Sequence, residues 1–305
     1  MEPLRFTVPP QWDGTLLKHF LRREAGVTAR LLARLKRVDG GIQLNGKPVY
    51  VIEPIHTGDV VELFPPSGET EAPAENLPFP VIYEDERLVA INKPAGMPVH
   101  PSPGHDRDSL LNAFSGWLLR ENRPAFAFRP LYRLDRDTTG VILLAKDGYT
   151  AAVLPATAEK EYRGICQGIL TGEGTVKLPI GLEPGSRIRR STGEAAEAPV
   201  PAVTHWKALV NDGTHTLVSF RLETGRTHQI RVHMASIGHP LAGDDLYGGS
   251  REFLSQQALC CQSVSFLKAE QGMSVKQTVA LPSPENWRAV FPDLFPQEKN
   301  QGNSV

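Results

Sequence analysis

One acid, Asp135, is the residue of this sequence best placed to do chemistry, because it lies between two arginines. Arg133 and Arg136 bring positive charge to both sides of the carboxyl group, which favours its ionised form. A turn-forming Thr-Thr-Gly segment, residues 138–140, comes next and leads into an apolar run typical of a buried strand. We therefore expect Asp135 on a loop at the mouth of a rigid strand, where an ionised acid suits a nucleophile or an electrostatic stabiliser. For such a pattern in isolation, the alternative is a surface loop with salt bridges.

A second acid, Asp137, lies two residues after Asp135, so both carboxylates point the same way on an extended chain. Paired carboxylates are the catalytic groups of glycoside hydrolases, which makes such a hydrolase an alternative. No other acid-rich segment supports a hydrolase pocket. We expect Asp137 to be a structural partner of Arg133 or of the turn amides.

Three further segments combine predicted strand ends with polar side chains. Residues 90–101 form a strand that ends in a Pro- and Gly-rich loop, residues 159–163 contain a Lys-x-Tyr pattern, and residues 223–233 end a strand and open a helix. Together with the segment around Asp135, they resemble the RluA-like family of RNA pseudouridine synthases, in the same order along the chain. The resemblance extends from about residue 80 to about residue 282.

The resemblance implies an isomerase that acts on RNA. In that reaction the C1′–N1 bond of a uridine breaks, the base turns over, and the base is rejoined to the sugar through C5. No redox change and no external energy are needed, so no cofactor is expected, and the sequence has no Walker or GxGxxG motif. The family resemblance assigns the required ionised carboxylate to Asp135. Addition to the base or ribose and assisted elimination at the sugar both stay open.

Tyr162, Arg133 and Arg226 are predicted as the nearest catalytic support for this acid. Tyr162 matches the family's active-site tyrosine and is able to stack on the base or move a proton. Arg226, at the strand-to-helix junction, is predicted to pair with Asp135 and a phosphate. Arg231 is the next candidate for the same task.

The sequence departs from the common family pattern at three places. Tyr132 stands where the family often has histidine, and Thr139 replaces a frequent serine. Residues 259–261, Leu-Cys-Cys, fall where many members carry Leu-His-Ala. None of these changes removes the acid, the tyrosine or the arginines.

Metal binding is not expected from the spacing of the candidate ligands. His228 and His233 are five residues apart, about 140° around a helix, so they do not share a face as the ligands of an HExxH motif do. Cys260 and Cys261 are adjacent and lack the spacing of zinc-binding cysteines. We expect them to be packed thiols.

Composition and charge indicate an ordinary globular protein. The 305 residues are 40% hydrophobic and 22% charged, with a net charge of −1, so any affinity for RNA must come from local basic patches. The three cysteines form no disulfide framework and fit a reducing compartment. The N-terminus lacks a signal-peptide layout, and no apolar run approaches the ~20 residues that span a bilayer. We predict a cytoplasmic protein with no membrane association.

The chain divides, in our interpretation, at an acidic and Pro-rich linker. A small basic α/β domain is predicted over residues 1–65, the linker over 66–78, the catalytic domain over 79–296 and a disordered tail over 297–305. In the catalytic domain, predicted strands and helices do not alternate as βαβ units. We therefore predict the α+β class, with a mixed and mostly antiparallel sheet.

The N-terminal segment resembles the compact RNA-binding module named after a small-subunit ribosomal protein. Residues 15–24 and 28–37 read as short helices rich in Lys and Arg, and an Asn-Gly hairpin follows at residues 45–46. A solvated basic face is the alternative. The residues predicted to bind RNA are Lys18, Arg22, Arg23, Arg30, Arg34 and Arg37 here, and Lys93, His100, His228, Gln229 and Arg231 in the second domain.

The predicted substrate is structured RNA, with large-subunit ribosomal RNA first and transfer RNA second, as the family resemblance implies. The competing class is a non-catalytic RNA-binding or ribosome-assembly factor that keeps the fold. An intact Arg-Leu-Asp motif at residues 133–135 argues against it, because an idle site needs no acid between arginines. No segment reads as a dimer interface, and we predict a monomer.

Overall fold

The computed structural model describes residues 3–65, 68, 72–270 and 273–296. The predicted tail at 297–305 lies outside these residues, as do positions 66–67 and 69–71 of the predicted linker. Contacts between Cα atoms divide the chain into two compact units. Unit 1 comprises Met1–Ile91, Leu111–Tyr132 and Leu143–Ala158, and unit 2 comprises Asn92–Leu110, Arg133–Ile142 and Glu159–Val305.

Helices are few and short, and strands dominate. The α-helices are α1 (Leu17–Arg23), α2 (Ala29–Leu35), α3 (Leu110–Arg120), α4 (Gly148–Val153), α5 (Gln229–Ser236) and α6 (Glu285–Val290). The strands are β1 (Leu4–Thr7), β2 (Ile42–Leu44), β3 (Lys47–Pro48), β4 (Val60–Leu63), β5 (Val81–Glu84), β6 (Leu88–Lys93), β7 (Thr139–Ala145), β8 (Glu159–Gln167), β9 (Glu173–Val176), β10 (Ile180–Leu182), β11 (Arg190–Thr192), β12 (Glu197–Val200), β13 (Thr204–Asn211), β14 (His215–Leu222), β15 (Leu259–Glu270) and β16 (Met273–Ala280). Among the described helices, none has the length and apolar character needed to cross a membrane.

The largest sheet is mixed and mostly antiparallel, which confirms the predicted α+β class. Its strand order is β5-β6-β7-β15-β8-β14-β13-β9, with β16 paired to β15. The β7–β15 pair is parallel, whereas β15–β8, β8–β14, β14–β13 and β13–β9 are antiparallel. A three-stranded sheet has the order β11-β10-β12.

Unit 1 contains the helix pair and the hairpin that the sequence predicts near the N-terminus. Thr28 caps α2 by accepting a hydrogen bond from the Leu31 amide at 3.2 Å. Asn45 and Gly46 take positive φ angles of 52° and 75°, as a tight Asn-Gly turn requires. The sheet β1-β4-β2-β3 and both helices bury one apolar core, which includes Phe20.

A segment from much later in the chain also packs on this core. Tyr149 of α4 donates a hydrogen bond from its hydroxyl to the Ala25 carbonyl at 2.8 Å, and its ring centroid lies 5.8 Å from that of Phe6. Asp147 caps α4 by accepting from two amides at 2.8 Å. Because the N-terminal core takes in these distant residues, the predicted division into domains at residues 66–78 stays a prediction.

In unit 2, the two faces of β8 and β14 carry different partners. Tyr162 and Phe220 are opposite each other in the register, and directly opposite residues of paired strands point to the same face. Ile165 belongs to a cluster on the other face that also contains Trp287 and Phe291, at the C-terminal end of the described chain. Packing on the face of Ile165 therefore holds the strands in place, and Tyr162 points to the opposite face.

Strand β7 is the rigid element that follows the Arg-Leu-Asp loop. Its residues 141–145 are fully buried, and Gly140 lies beside Cys261 of the parallel strand β15. The φ of Gly140 is +111°, and a Cβ atom there would lie 2.3 Å from the Cys261 carbonyl oxygen. Only glycine therefore lets the loop enter the sheet at this point.

Replacing Gly140 with alanine should lower the free energy of unfolding by about 3 kcal/mol, since a strained φ is combined with a backbone clash. Gly213→Ala is the matched control, because its φ is +91° but nothing lies within 4 Å of the added Cβ. We expect that control to cost about 1 kcal/mol. Urea unfolding of both variants measures the difference, and equal costs would contradict the account.

Candidate active site

Asp135 lies on the loop just before β7, as the sequence predicts. Its side chain is 25% exposed, and its backbone carbonyl accepts a hydrogen bond from the Thr138 amide at 3.2 Å, which closes a turn. The nearest cation is Arg231 of α5, whose Nη1 donates to Asp135 Oδ2 at 3.5 Å. The acid is thus held at the edge of a rigid strand with a guanidinium beside it.

Arg231 is itself held by a second carboxylate. Its Nε and Nη2 donate to Oδ2 and Oδ1 of the buried Asp244, at 2.7 and 2.8 Å. Burial lowers the pKa of Arg231, but the hydrogen bonds to Asp244 and the charges of both carboxylates outweigh that effect and raise it. The guanidinium stays charged in the site.

Arg226 does not make the pairing with Asp135 that the sequence predicts. Its Nε donates to the Pro201 carbonyl at 3.0 Å, and its side chain is exposed. The reason is the start of α5: His228 adopts a left-handed φ of 58°, and the helix begins only at Gln229. Arg226 therefore precedes the helix, and Arg231 in its first turn faces the acid.

Tyr162 lies close to the acid on β8 and is buried. It is opposite Cys261 of β15 in the register, and its hydroxyl is hydrogen-bonded to the Cys261 thiol. Burial, with contributions from Cys261 and Asp135, raises the pKa of Tyr162 well above its ordinary value. The phenol is therefore neutral at physiological pH and presents an aromatic surface with a proton to donate.

The four predicted catalytic residues line one cavity of about 80 Å³. The predicted residues that line it are Arg133, Asp135, Tyr162, Arg226, His228, Gln229 and Arg231. Motifs separated by nearly a hundred residues of sequence thus converge on a single site, which is what the resemblance implies.

A larger cavity, about 780 Å³, lies on the other face of the same strands. Glu161 and Arg163 line it, and they point away from the face of Tyr162 because side chains alternate along β8. Arg221 is opposite Glu161 in the register, and Ser219 donates to Glu161 at 2.9 Å. Such polar cross-strand pairs are typical of the water-facing side of a sheet, so we take the smaller cavity as the candidate site.

Lys93, predicted above to bind RNA, is fully buried and turned inward. Its Nζ donates to the carbonyls of Pro94, Met97 and Arg136, each at 2.8 Å. All three protons of the ammonium group are used, so this lysine ties the 94–97 loop to the loop that carries Asp135. Lys93 therefore stabilises the loop that carries Asp135 and is not available to bind RNA.

The other predicted residues of unit 2 differ in their exposure to solvent and in their hydrogen bonds. Gln229 is 3% exposed and is occupied by hydrogen bonds to Thr224, Arg226 and Val203. His228 Nδ1 is bonded to the Tyr247 hydroxyl at 2.8 Å. Burial lowers the pKa of His228, so its imidazole is neutral at physiological pH.

Arg133 and His100 are exposed, so a large ligand can reach them. Burial and the charge of Arg133 lower the pKa of His100. The carboxylate of Asp137 accepts from Arg136 Nη2 at 2.9 Å, whereas the sequence predicted Arg133 or the turn amides as its partner. This contact within the loop gives Asp137 a structural partner, and nothing pairs it with Asp135 as in a hydrolase.

The predicted RNA-binding residues near the N-terminus lie in unit 1. Arg22, Arg23, Arg30, Arg34 and Arg37 are exposed, whereas Lys18 is half-buried. Arg22 also donates to the Val27 carbonyl at 2.6 Å. Among the described residues, no cluster of His, Cys, Asp or Glu side chains could hold a metal ion.

Sequence reasoning missed Asp244, Tyr247 and the role of Cys261 beside Tyr162. Asp244 and Asp245 are adjacent acids, and spacing alone does not tell which is buried. No local signal in the sequence separates the two acids, because the burial of Asp244 arises from long-range contacts.

The buried Lys93 makes stability depend on pH. Burial lowers its pKa to about 7, against the opposing charges of Asp137 and Asp135, while an unfolded lysine titrates near ~10.4. Between these values the unfolded chain binds the extra proton, so stability rises with pH. Relative to Lys93→Met, wild type should gain at most about 1.4 kcal/mol per pH unit from pH ~7 to ~10. Urea unfolding of both proteins across this range tests it, and a difference independent of pH would contradict it.

Comparisons with known proteins identify the family of this chain. The family model described as RNA pseudouridylate synthase matches residues 87–236. Ribosomal large subunit pseudouridine synthase D of Xylella fastidiosa is 35% identical over 81% of this chain and 79% of that protein. An uncharacterized RNA pseudouridine synthase of Bacillus subtilis, YjbO, is 36% identical over 80% of this chain and 88% of that protein.

Among solved structures, human RNA Pseudouridylate Synthase Domain Containing 1 has a TM-score of 0.55 and 22% identity, over 70% of this chain and 87% of that one. This likeness concerns the fold. The family match and the sequence relatives identify the family. The chain belongs to the RluA-like family of RNA pseudouridine synthases, isomerases that convert uridine in RNA to pseudouridine.

Proposed function

We propose that the protein isomerises a uridine of large-subunit ribosomal RNA, with Asp135 as the catalytic acid. The observation that carries the proposal is the convergence of Asp135, Tyr162 and Arg231 on one cavity. Several relatives bear the name ribosomal large subunit pseudouridine synthase D, which favours this RNA as the substrate. Transfer RNA is the second candidate.

The carboxylate of Asp135 acts where the base leaves the sugar. The C1′–N1 bond breaks, the freed uracil turns over and a C5–C1′ bond forms. C5 gives up its proton and N1 takes one up, so the product is an isomer of the uridine. Asp135 either adds covalently to the base or ribose, or assists elimination at the sugar. In each case the reaction needs an ionised acid, and the guanidinium of Arg231 lies 3.5 Å from Asp135.

Tyr162 and the arginines support the acid in different ways. The neutral ring of Tyr162 offers a surface on which the detached base can stack while it turns. Arg231 takes the task predicted for Arg226, and Arg226 and Arg133 at the open side of the cavity suit phosphate groups of the RNA.

RNA binding also involves the basic segment near the N-terminus, which we propose as a separate module over residues 1–65. Arg30 and Arg34 are exposed and lie four residues apart in α2, so they share one face of that helix and suit phosphate contacts. We further propose a monomer that works in the cytoplasm. Cys166, Cys260 and Cys261 are buried thiols that are not joined in disulfides, which suits a reducing compartment.

The direct test is tritium release from RNA labelled at C5 of uridine, since rejoining through C5 expels that label. Wild type should release tritium from large-subunit ribosomal RNA transcripts. Asp135→Asn should lower the rate by about 10³-fold or more, because the neutral amide cannot act as an acid or a nucleophile. RNA affinity, measured by filter binding, should stay within about threefold of wild type.

Asp137→Asn is the matched control, because this acid two residues away is held by Arg136. It should retain most of the activity. Release by Asp135→Asn at the wild-type rate would refute the assignment of the acid. Binding without release by wild type, on ribosomal and transfer RNA alike, would favour a non-catalytic assembly factor.

A further inference from the structure

Asp244 is a buried carboxylate for which the proposed reaction has no direct use. Its side chain is 0% exposed, and both of its oxygens accept hydrogen bonds from Arg231. The contacts are Oδ2 to Nε at 2.7 Å and Oδ1 to Nη2 at 2.8 Å. A two-point contact of this kind fixes the plane of the guanidinium as well as its position.

The remaining terminal nitrogen of Arg231, Nη1, is the one that faces Asp135, at 3.5 Å from Oδ2. The guanidinium carbon lies 5.1 Å from the ring centroid of Tyr247, which supports it from the side. With the Nε–Nη2 edge occupied and an aromatic ring alongside, Nη1 cannot change direction unless Asp244 releases the whole group. Asp244 thus determines the direction in which Nη1 of Arg231 points.

One guanidinium serves two carboxylates, and the contacts are unequal. The short pair goes to Asp244 in the interior, and the long contact goes to Asp135, which is 25% exposed at the cavity. Arg231 therefore keeps a positive charge near Asp135 while its best hydrogen bonds are made elsewhere. The carboxylate of Asp135 keeps lone pairs that are open to the sugar or the base.

We propose that Asp244 is a positioning residue, which aims Arg231 at Asp135 and prevents it from closing on that acid. This inference rests on the proposed function, in which Asp135 acts on the RNA. It predicts that the length of the side chain at position 244 matters, and not only its charge. A residue needed merely to balance the buried arginine would be replaceable by glutamate.

The experiment compares Asp244→Glu and Asp244→Asn in single-turnover tritium release, on the RNA that wild type modifies. Asp244→Glu keeps the buried charge but moves the carboxylate that holds Arg231 by one methylene. The rate constant should therefore fall at least about tenfold. Asp244→Asn removes one of the two oxygens that accept hydrogen bonds from Arg231, and the rate constant should fall about 10²-fold. RNA affinity should stay within about threefold for both.

Asp245 provides the matched control, because it is the adjacent acid but is 55% exposed and pairs with exposed Arg251 at 2.8 Å. Asp245→Glu and Asp245→Asn should both retain the wild-type rate constant. A wild-type rate constant for Asp244→Glu would overturn the proposal, since charge balance alone would then explain the residue. Equal losses for the Asp244 and Asp245 variants would overturn it as well.

A second comparison asks whether Asp244 acts through Arg231. Arg231→Gln should lower the rate constant by itself, and Asp244→Asn added to it should lower it no further, because the arginine to be positioned is gone. Losses that multiply would show that Asp244 acts by another route, which would refute the proposal.

Folding and the proposed function are controlled separately. Asp244→Glu leaves the ion pair charged on both sides, so its rate constant decides the question if Asp244→Asn does not fold. Wild type is the positive control: no release from wild type means that the proposed function has failed. Release from wild type together with full activity of Asp244→Glu means that only the positioning proposal has failed.

Discussion

The contact on which the candidate site depends is the buried guanidinium of Arg231, held between two carboxylates. A buried charge without a partner is costly, so Arg231 and Asp244 form a fixed ion pair in the interior. Asp135 contacts Nη1 of Arg231, the nitrogen that Asp244 does not bind. The helix α5, the turn at Asp244 and the loop before β7 must all be in place for that geometry. The site is thus a consequence of the packing of unit 2 and not of any one motif.

The loop that carries Asp135 has little freedom, because it is fixed from two directions. Gly140 passes within van der Waals contact of the β15 backbone, which admits no side chain there. Lys93 binds carbonyls of two loops, including that of Arg136 next to the acid. Rigid support of this kind suits a reaction in which the RNA base, and not the enzyme, has to turn over.

Much of this could be predicted from the sequence, since it rests on local pattern. The turn residues and the apolar run placed Asp135 on a loop before a buried strand, and the resemblance placed Tyr162 at the same site. The choice between Arg226 and Arg231 could not be predicted, because it depends on the left-handed φ of His228 and on where α5 begins.

The burial of polar groups likewise could not be predicted from the sequence. Lys93 reads as a cation for phosphate groups, and only the three carbonyls around its Nζ show that it is used inside the protein. Asp244 and Asp245 are alike in sequence, yet one is wholly enclosed and the other largely open. Long-range contacts decide such cases, and no local pattern encodes them.

The measurement that tests the central claim most directly is a crystal structure of the Asp135→Asn variant with a large-subunit ribosomal RNA fragment that wild type modifies. The account predicts a flipped-out uridine in the Tyr162 cavity, with its C1′ or C6 within about 4 Å of the side chain at position 135. It also predicts that Arg231 still holds Asp244 in that complex. A target uridine bound elsewhere on the protein, with this cavity empty, would contradict it.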